Sequence, residues 1–277
     1  MPAVYSYSVR RGACPSCARG VGSMALSCSR PALERRVFVW IVAGLAFAAL
    51  PHSPRAIAFD DPPRPELAVP ATEDFEFGAA HDPDRWTRAS WAELVPREPG
   101  KAPRTRVKML HSPTGLYVLF DADDQKLTAT MREDYAQLWR EDVLEVFLWP
   151  DERHPVYFEY EISPLGFELP LLVPNLDGQF VGWIPWEYRG ARKVRKAVRV
   201  RGGEGVSGAS IEGWGAELFI PYALLAPMHN MPPKPGSKWR ANFYRMDYDV
   251  SPSRSWDWAR VGGTFHEFKK FGTIRFE

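Results

Sequence analysis

The stretch Trp139-Arg140-Glu141-Asp142-Val143-Leu144-Glu145-Val146-Phe147-Leu148-Trp149 sets an indole close to a carboxylate on one short segment. β-branched and aromatic residues alternate with others and Pro150 closes the run, so the pattern predicts a strand over 142–149. Period-two geometry puts Val143, Glu145, Phe147 and Trp149 on one face, and Asp142, Leu144, Val146 and Leu148 on the other. The second face is almost wholly aliphatic and belongs to a core. The first carries Glu145 among large apolar groups, with Trp139 just ahead of the strand. Such a pair suits a pyranose: the ring covers its apolar C–H face and the carboxylate accepts from its hydroxyls. A half-exposed strand with an ordinary surface glutamate is the competing reading.

Further acids follow. In Val156–Ser163, residues Tyr157, Glu159, Glu161 and Ser163 alternate with Val156, Phe158, Tyr160 and Ile162. On a neighbouring strand, Glu159 and Glu161 would share a groove with Glu145. Two carboxylates about 5–10 Å apart are the equipment of a glycosidase, which is one alternative function. Clustered acids also suit Ca²⁺, and Asp121, Asp123 and Asp124 form the candidate metal cluster, with a solvated strand end as the competing reading. A second alternative is a b-type haem electron-transfer sandwich, using Met109, His111, Met131 or Met246 as axial ligands. Methionines in strands more often fill cores, and the histidines at 52, 81, 111, 154, 229 and 266 show no metal-binding spacing. No haem is expected.

The elements that must position these residues come next. The chain has 277 residues, and its start reads as a targeting segment. The apolar run Val37–Leu50 follows Arg35-Arg36 and precedes Ala56-Ile57-Ala58, a signal-peptide pattern with expected cleavage after Ala58. The run is too short for a spanning helix, and Met24 gives the signal a more usual length than Met1. A secreted or periplasmic protein is expected, with 1–58 removed, 59–73 a Pro-rich lead-in and 74–277 a single domain. Cleavage would leave a net charge of about −5, which argues against nucleic acid and anionic membranes as partners. Cys14, Cys17 and Cys28 all precede the cleavage site, so the mature protein has no thiol or disulfide. Cys14-Pro15-Ser16-Cys17 is followed by Ala18, where a c-type haem motif needs His.

Short apolar runs broken by Gly and Pro predict strands at 104–111, 116–121, 142–149, 156–163, 166–172, 197–201, 213–220, 239–249 and 272–276. Ser112-Pro113-Thr114-Gly115 reads as a hairpin turn, and only Tyr222–Ala226 as a helical turn. The basic stretch Arg189–Arg201 reads as a loop and edge strand whose charge discourages further pairing. Together these predict an all-β fold, an antiparallel β-sandwich. Trp183-Ile184-Pro185-Trp186 lies in an irregular stretch. It either extends a sugar platform or caps the core, and the cap is the expectation.

The order of motifs resembles carbohydrate-binding module family 9 and its secreted relatives. The similarity runs from about Phe75 to Phe276. It rests on Phe77-Gly78-Ala79-Ala80-His81-Asp82-Pro83-Asp84-Arg85-Trp86 and Leu116–Asp124, then on Trp139-x-x-Asp142-x-x-Glu145-x-Phe147. Gly213-Trp214-x-x-Glu217-x-x-Ile220-Pro221-Tyr222, Trp239-x-x-Asn242-x-x-Arg245 and Phe265-His266-x-Phe268-x-x-Phe271-Gly272 complete it. The resemblance implies a jelly-roll-like sandwich that holds the end of a sugar chain between two tryptophan rings without catalysis. It also implies structural calcium.

Trp139 and Glu145 match the first ring and the acceptor by spacing. Trp256 or Trp258, in Ser255-Trp256-Asp257-Trp258, is the expected facing ring, and Arg245 a polar contact. Alternation puts Asn242 with Tyr244 and Met246, but Arg245 with Phe243 and Asp247, so Asn242 and Arg245 cannot both face the site. An ion pair with a strand acid such as Glu145 or Glu159 is the competing role for Arg245. Glu159 and Glu161 stand where some members place Arg and Asn, a departure that points toward a cationic or metal-bridged ligand. The expected partner is an oligo- or polysaccharide, with a glycan-degrading enzyme as companion.

Overall fold

The computed structural model describes residues 63–78 and 82–277. The targeting segment, the three cysteines, His52, His81 and the cleavage position lie outside these residues. The elements, in chain order, begin with β1 (Glu66–Val69), β2 (Ala92–Glu93), β3 (Val95–Pro96), β4 (Thr105–His111) and β5 (Gly115–Asp123). Then follow β6 (Val143–Trp149), β7 (Val156–Ile162), β8 (Glu168–Leu176), β9 (Gln179–Phe180) and β10 (Ile184–Pro185). The chain continues through β11 (Arg195–Arg201), β12 (Gly213–Pro221), α1 (Tyr222–Leu225), β13 (Lys238–Asp247), β14 (Arg254–Asp257) and β15 (Gly272–Phe276).

They form two sheets. One runs β1-β15-β13-β6-β7-β8-β10, with β14 paired to β13, β3 to β14 and β9 to β8; the other runs β11-β12-β5-β4-β2. All pairings are antiparallel except β1 with β15. The fold is therefore the antiparallel β-sandwich that the spacing of short strands predicts. β11 is an edge of the smaller sheet, as its basic composition implies. The β4–β5 hairpin closes through Ser112, whose N–H donates to the Gly115 carbonyl while its Oγ accepts from the Gly115 N–H.

Strand alternation sorts the side chains into layers. Val107, Met109, Val118 and Phe120 of the smaller sheet meet Leu144, Val146, Phe158 and Tyr160 of the larger one in the central core. The opposite face of the larger sheet is also buried. There Val143, Phe147, Trp149, Tyr157, Leu169, Leu171 and Tyr244 pack under loop residues Leu138, Val261, Phe268 and Phe271. Both faces of β6 are thus apolar, for two separate reasons: inter-sheet packing on one side, and loops folded over the sheet on the other. The second layer holds the candidate site.

Candidate functional site

Strand pairing brings the acids together. Glu145 lies directly opposite Glu161, and Phe147 opposite Glu159, in the β6–β7 ladder. All three glutamates project to the loop-covered face, where they line a cleft of about 300 Å³. They are only 2%, 4% and 1% exposed for Glu145, Glu159 and Glu161, so the surface-glutamate reading does not hold. The cleft walls are Trp139, Phe147, Leu171, Trp183, Met246, Tyr248, Phe265 and His266.

Trp139 sits in the short turn Leu138–Arg140 that leads into β6. Its carbonyl accepts from the Tyr248 hydroxyl at 2.7 Å, which fixes the turn against the strand β13 side. The ring facing it is Trp183, with centroids 5.5 Å apart and planes at 73°. Trp183 follows the tight turn at Asp177-Gly178 and remains 45% exposed. Phe180 stacks on His266 at 4.1 Å and lies 6.3 Å from Trp183, so an aromatic row extends along the cleft mouth.

The electrostatics are unusual for a sheet interior. Burial pushes Glu159 up from 4.5 to about 8, and pushes Glu145 and Glu161 well above the ordinary carboxylate range, with mutual repulsion adding to both. His266 is the basic group beside them, its Nδ1 3.8 Å from Glu159 Oε2 and 2.7 Å from the Tyr157 hydroxyl. Burial lowers it to about 4, so it is neutral at pH 7 and brings no positive charge to the carboxyls.

A pH dependence follows. The groups facing these carboxyls are one another, neutral His266 and the hydroxyls of Tyr157 and Tyr248, the former pushed up by burial and Glu159 and the latter by burial and Glu145. The folded state holds protons that the unfolded chain releases near 4.5, so their contribution is complete below that pH and disappears as pH rises through about 8. Each proton retained makes stability fall by ~1.4 kcal/mol per pH unit across that window. We expect Tm to fall between pH 5 and pH 8, and the Glu159→Gln/Glu161→Gln double variant to flatten the slope. An unchanged slope in the variant would place the titration elsewhere.

Several sequence expectations need correction. Trp256 is fully buried in the central core, where its indole N–H donates to the Pro103 carbonyl at 3.1 Å; Trp258 is 8% exposed in the same core. Neither reaches the cleft. Arg254–Asp257 forms a strand on β13 rather than a loop, and its alternation turns Trp256 inward. Arg245 likewise points into the sandwich. Its Nη2 lies 3.1 Å from Asp124 and 3.2 Å from Asp247, its Nη1 donates to the Asp123 carbonyl, and the guanidinium stacks 4.6 Å above Trp256. Its ion-pair partners are therefore Asp124 and Asp247, not Glu145 or Glu159. Asn242, on the cleft-side face, is spent on the backbone of Phe243 and Ala259 and on the Tyr244 hydroxyl.

The metal cluster is rearranged too. Asp121 pairs with Arg104, Arg106 and Arg201, and Asp123 with Arg104 and Arg201. Only Asp124 remains, and it joins Asp247 and Asp249, each offering one oxygen, all within 4.8 Å of one another. All are hard oxygen donors, the kind Ca²⁺ takes. Asp124 Oδ2 accepts no hydrogen bond, although Arg245 already brings one positive charge to it. The Trp183–Trp186 segment divides between its two readings: Trp183 faces the cleft, while Trp186 caps the core with its N–H on the Leu224 carbonyl at 3.0 Å.

No known family model matches the chain. A curated relative, an extracellular protein of Arthroderma benhamiae, is 25% identical over 151 residues, which make up 52% of this chain; the chain spans 63% of that relative's length. A Bacteroides uniformis protein described as carbohydrate-binding superposes with a TM-score of 0.62 at 16% identity, covering 78% of this chain and all of that one. Family 9 carbohydrate-binding modules of Caldicellulosiruptor kristjanssonii, solved with cellotriose and with glucose, give TM-scores of 0.54 and 0.55. Each is 14% identical and covers 77% of this chain, and 94% and 96% of the modules respectively. The described residues of the chain have the β-sandwich fold of carbohydrate-binding module family 9.

Proposed function

We propose that the protein is a secreted, non-catalytic module that binds a saccharide in the cleft lined by Trp139 and Trp183. The observation that carries this reading is the meeting of two accessible indoles over three inward-facing carboxyls. Glu145 and Glu161 are directly opposite in the ladder and both buried, an arrangement that costs a sheet stability whether the carboxyls ionise and repel or are desolvated with their protons held. A fold retains such an arrangement where a ligand uses it. The rings cover the apolar face of a pyranose and the carboxyls bond its hydroxyls.

Binding accounts for the cleft better than glycoside hydrolysis. A glycosidase separates its two carboxyls, one protonated and one ionised, by giving them different environments. Here burial moves all three glutamates in the same direction. The extracellular relative and the solved modules with bound sugars support secretion and saccharide recognition. Among the described residues, no helix is long and apolar enough to cross a membrane.

The test is a titration of intrinsic tryptophan fluorescence against a panel of oligosaccharides. We expect a saturable change with one sugar class. A flat response across the panel from a folded protein would refute the reading.

Calcium belongs to the same proposal, as a structural ion held by Asp124, Asp247 and Asp249. An ion at a hundred times its Kd stabilises the folded state by ~2.7 kcal/mol. In a domain of this size that raises Tm by roughly 5–10 °C. Scanning calorimetry with Ca²⁺ and with EDTA checks it, and identical Tm values would remove calcium from the account.

A further inference from the structure

The cleft carries more acid than a neutral sugar needs. Among the described residues lining it there is no lysine or arginine, and His266 is the sole basic side chain. Apart from each other, Glu159 Oε2 and Glu161 Oε2 are buried without a hydrogen-bond donor, although both side chains line the cleft. Unsatisfied buried acceptors are uncommon in folded proteins and call for an explanation. A hydroxyl from a neutral sugar would satisfy one acceptor at a time. An ammonium brings three N–H donors and a positive charge together. Charge-assisted bonds are about twice as strong as neutral ones, and aromatic faces attract a cation directly.

We propose that the ligand is an amino sugar with a free, protonated amine. Its ammonium is held by Glu145, Glu159 and Glu161, and its ring is packed against the Trp139 and Trp183 wall of the cleft. This rests on the saccharide reading above and specifies the sugar class. The acidic overall charge of Phe59–Glu277, about −5, favours the approach of such a ligand. Because burial holds protons on these carboxyls, an arriving ammonium displaces them, and binding near pH 6.5 releases protons to the buffer.

The experiment is isothermal titration of the full chain at pH 6.5 with three tetrasaccharides: β-1,4-linked glucosamine, its N-acetylated form and the glucose oligomer. The proposal expects the glucosamine oligomer to bind at least tenfold tighter than the other two. It also expects the heat to vary with the ionisation enthalpy of the buffer, as proton release requires. In the Glu159→Gln/Glu161→Gln variant the preference for glucosamine over the glucose oligomer should shrink below threefold. In Trp139→Ala, glucosamine binding should also be lost, which separates a seated ligand from attraction to an acidic surface.

Equal or tighter binding of either neutral oligomer would overturn the amine assignment and leave the saccharide reading standing. Glucosamine binding that survives Trp139→Ala unchanged would overturn it as well. If none of the three oligomers binds, the amine assignment falls, and the saccharide reading is decided separately by the wider oligosaccharide panel.

Discussion

Removing the two cleft rings should nearly abolish saccharide binding while leaving the fold intact. Trp139→Ala and Trp183→Ala are each expected to weaken binding by about thirtyfold, since aromatic anchors at a binding site typically contribute ~2 kcal/mol or more. Trp183 is 45% exposed, and Trp139 is a partly buried side chain beside the outer layer rather than within the central core. Their loss leaves no central cavity, so Tm should move by only a few degrees. Trp256→Ala is the control with the opposite signature. That indole is wholly buried and hydrogen-bonded, so its loss should cost ~3–5 kcal/mol of stability without changing the affinity of the folded fraction. Calorimetric unfolding and titration on the same three variants separate the roles. A Trp256→Ala protein of normal stability that binds no sugar would restore Trp256 to the site.

Arg245→Ala should be among the most destabilising single changes, at ~3–5 kcal/mol. The guanidinium is fully buried between Asp124 and Asp247, and it also donates to Thr105 Oγ1 and the Asp123 carbonyl. Deleting it strands two buried carboxyls and removes the cation stacked on Trp256. A buried pair broken on one side costs more than the pair itself contributes, because the remaining charge has no solvent. Chemical denaturation with urea reads the loss directly. Were Arg245 instead a sugar contact, the variant would unfold normally and fail only in binding, and that result would place the side chain on the wrong face here.

The contrast between Glu145 and Arg245 explains how much of this was legible in the sequence. Alternation along one strand is local, so the partition of β6 into a core face and a cleft face could be read directly. The same rule placed Glu159 and Glu161 on one face of β7, and ladder pairing then set them beside Glu145. Alternation also separated Arg245 from Tyr244 and Met246. What it could not supply was which of the two faces looks toward the ligand, because both faces of the larger sheet are buried. The motif order suggested that Arg245 faced the sugar, and the packing reversed it.

The two tryptophan assignments failed for a different reason. Ser255-Trp256-Asp257-Trp258 lacks a long alternating run, so it read as a loop. Its pairing with Tyr244–Asp247 depends on a chain reversal that local pattern does not encode. Trp183 reaches Trp139 because β8 turns at Asp177-Gly178 and the returning chain lies beside β8 as β10. That contact is tertiary, and the sequence offered only an aromatic in an irregular stretch. The acidic cluster follows the same logic. Asp121 and Asp123 lie close to Asp124 in sequence, but arginines from β4 and β11 claim them. The carboxylates that do converge on Asp124 come from the far end of β13 and the residues just after it.

The central claim is that a saccharide lies against Trp139 and Trp183 in the cleft, and indole N–H resonances test it most directly. In a two-dimensional ¹H–¹⁵N spectrum, with tryptophan signals assigned by single substitution, the binding oligosaccharide would be titrated in. The account predicts progressive shifts of the Trp139 and Trp183 indole signals, while those of Trp214, Trp239 and Trp256 stay in place. Shifts confined to Trp256 or Trp258, with Trp139 and Trp183 unmoved, would contradict it.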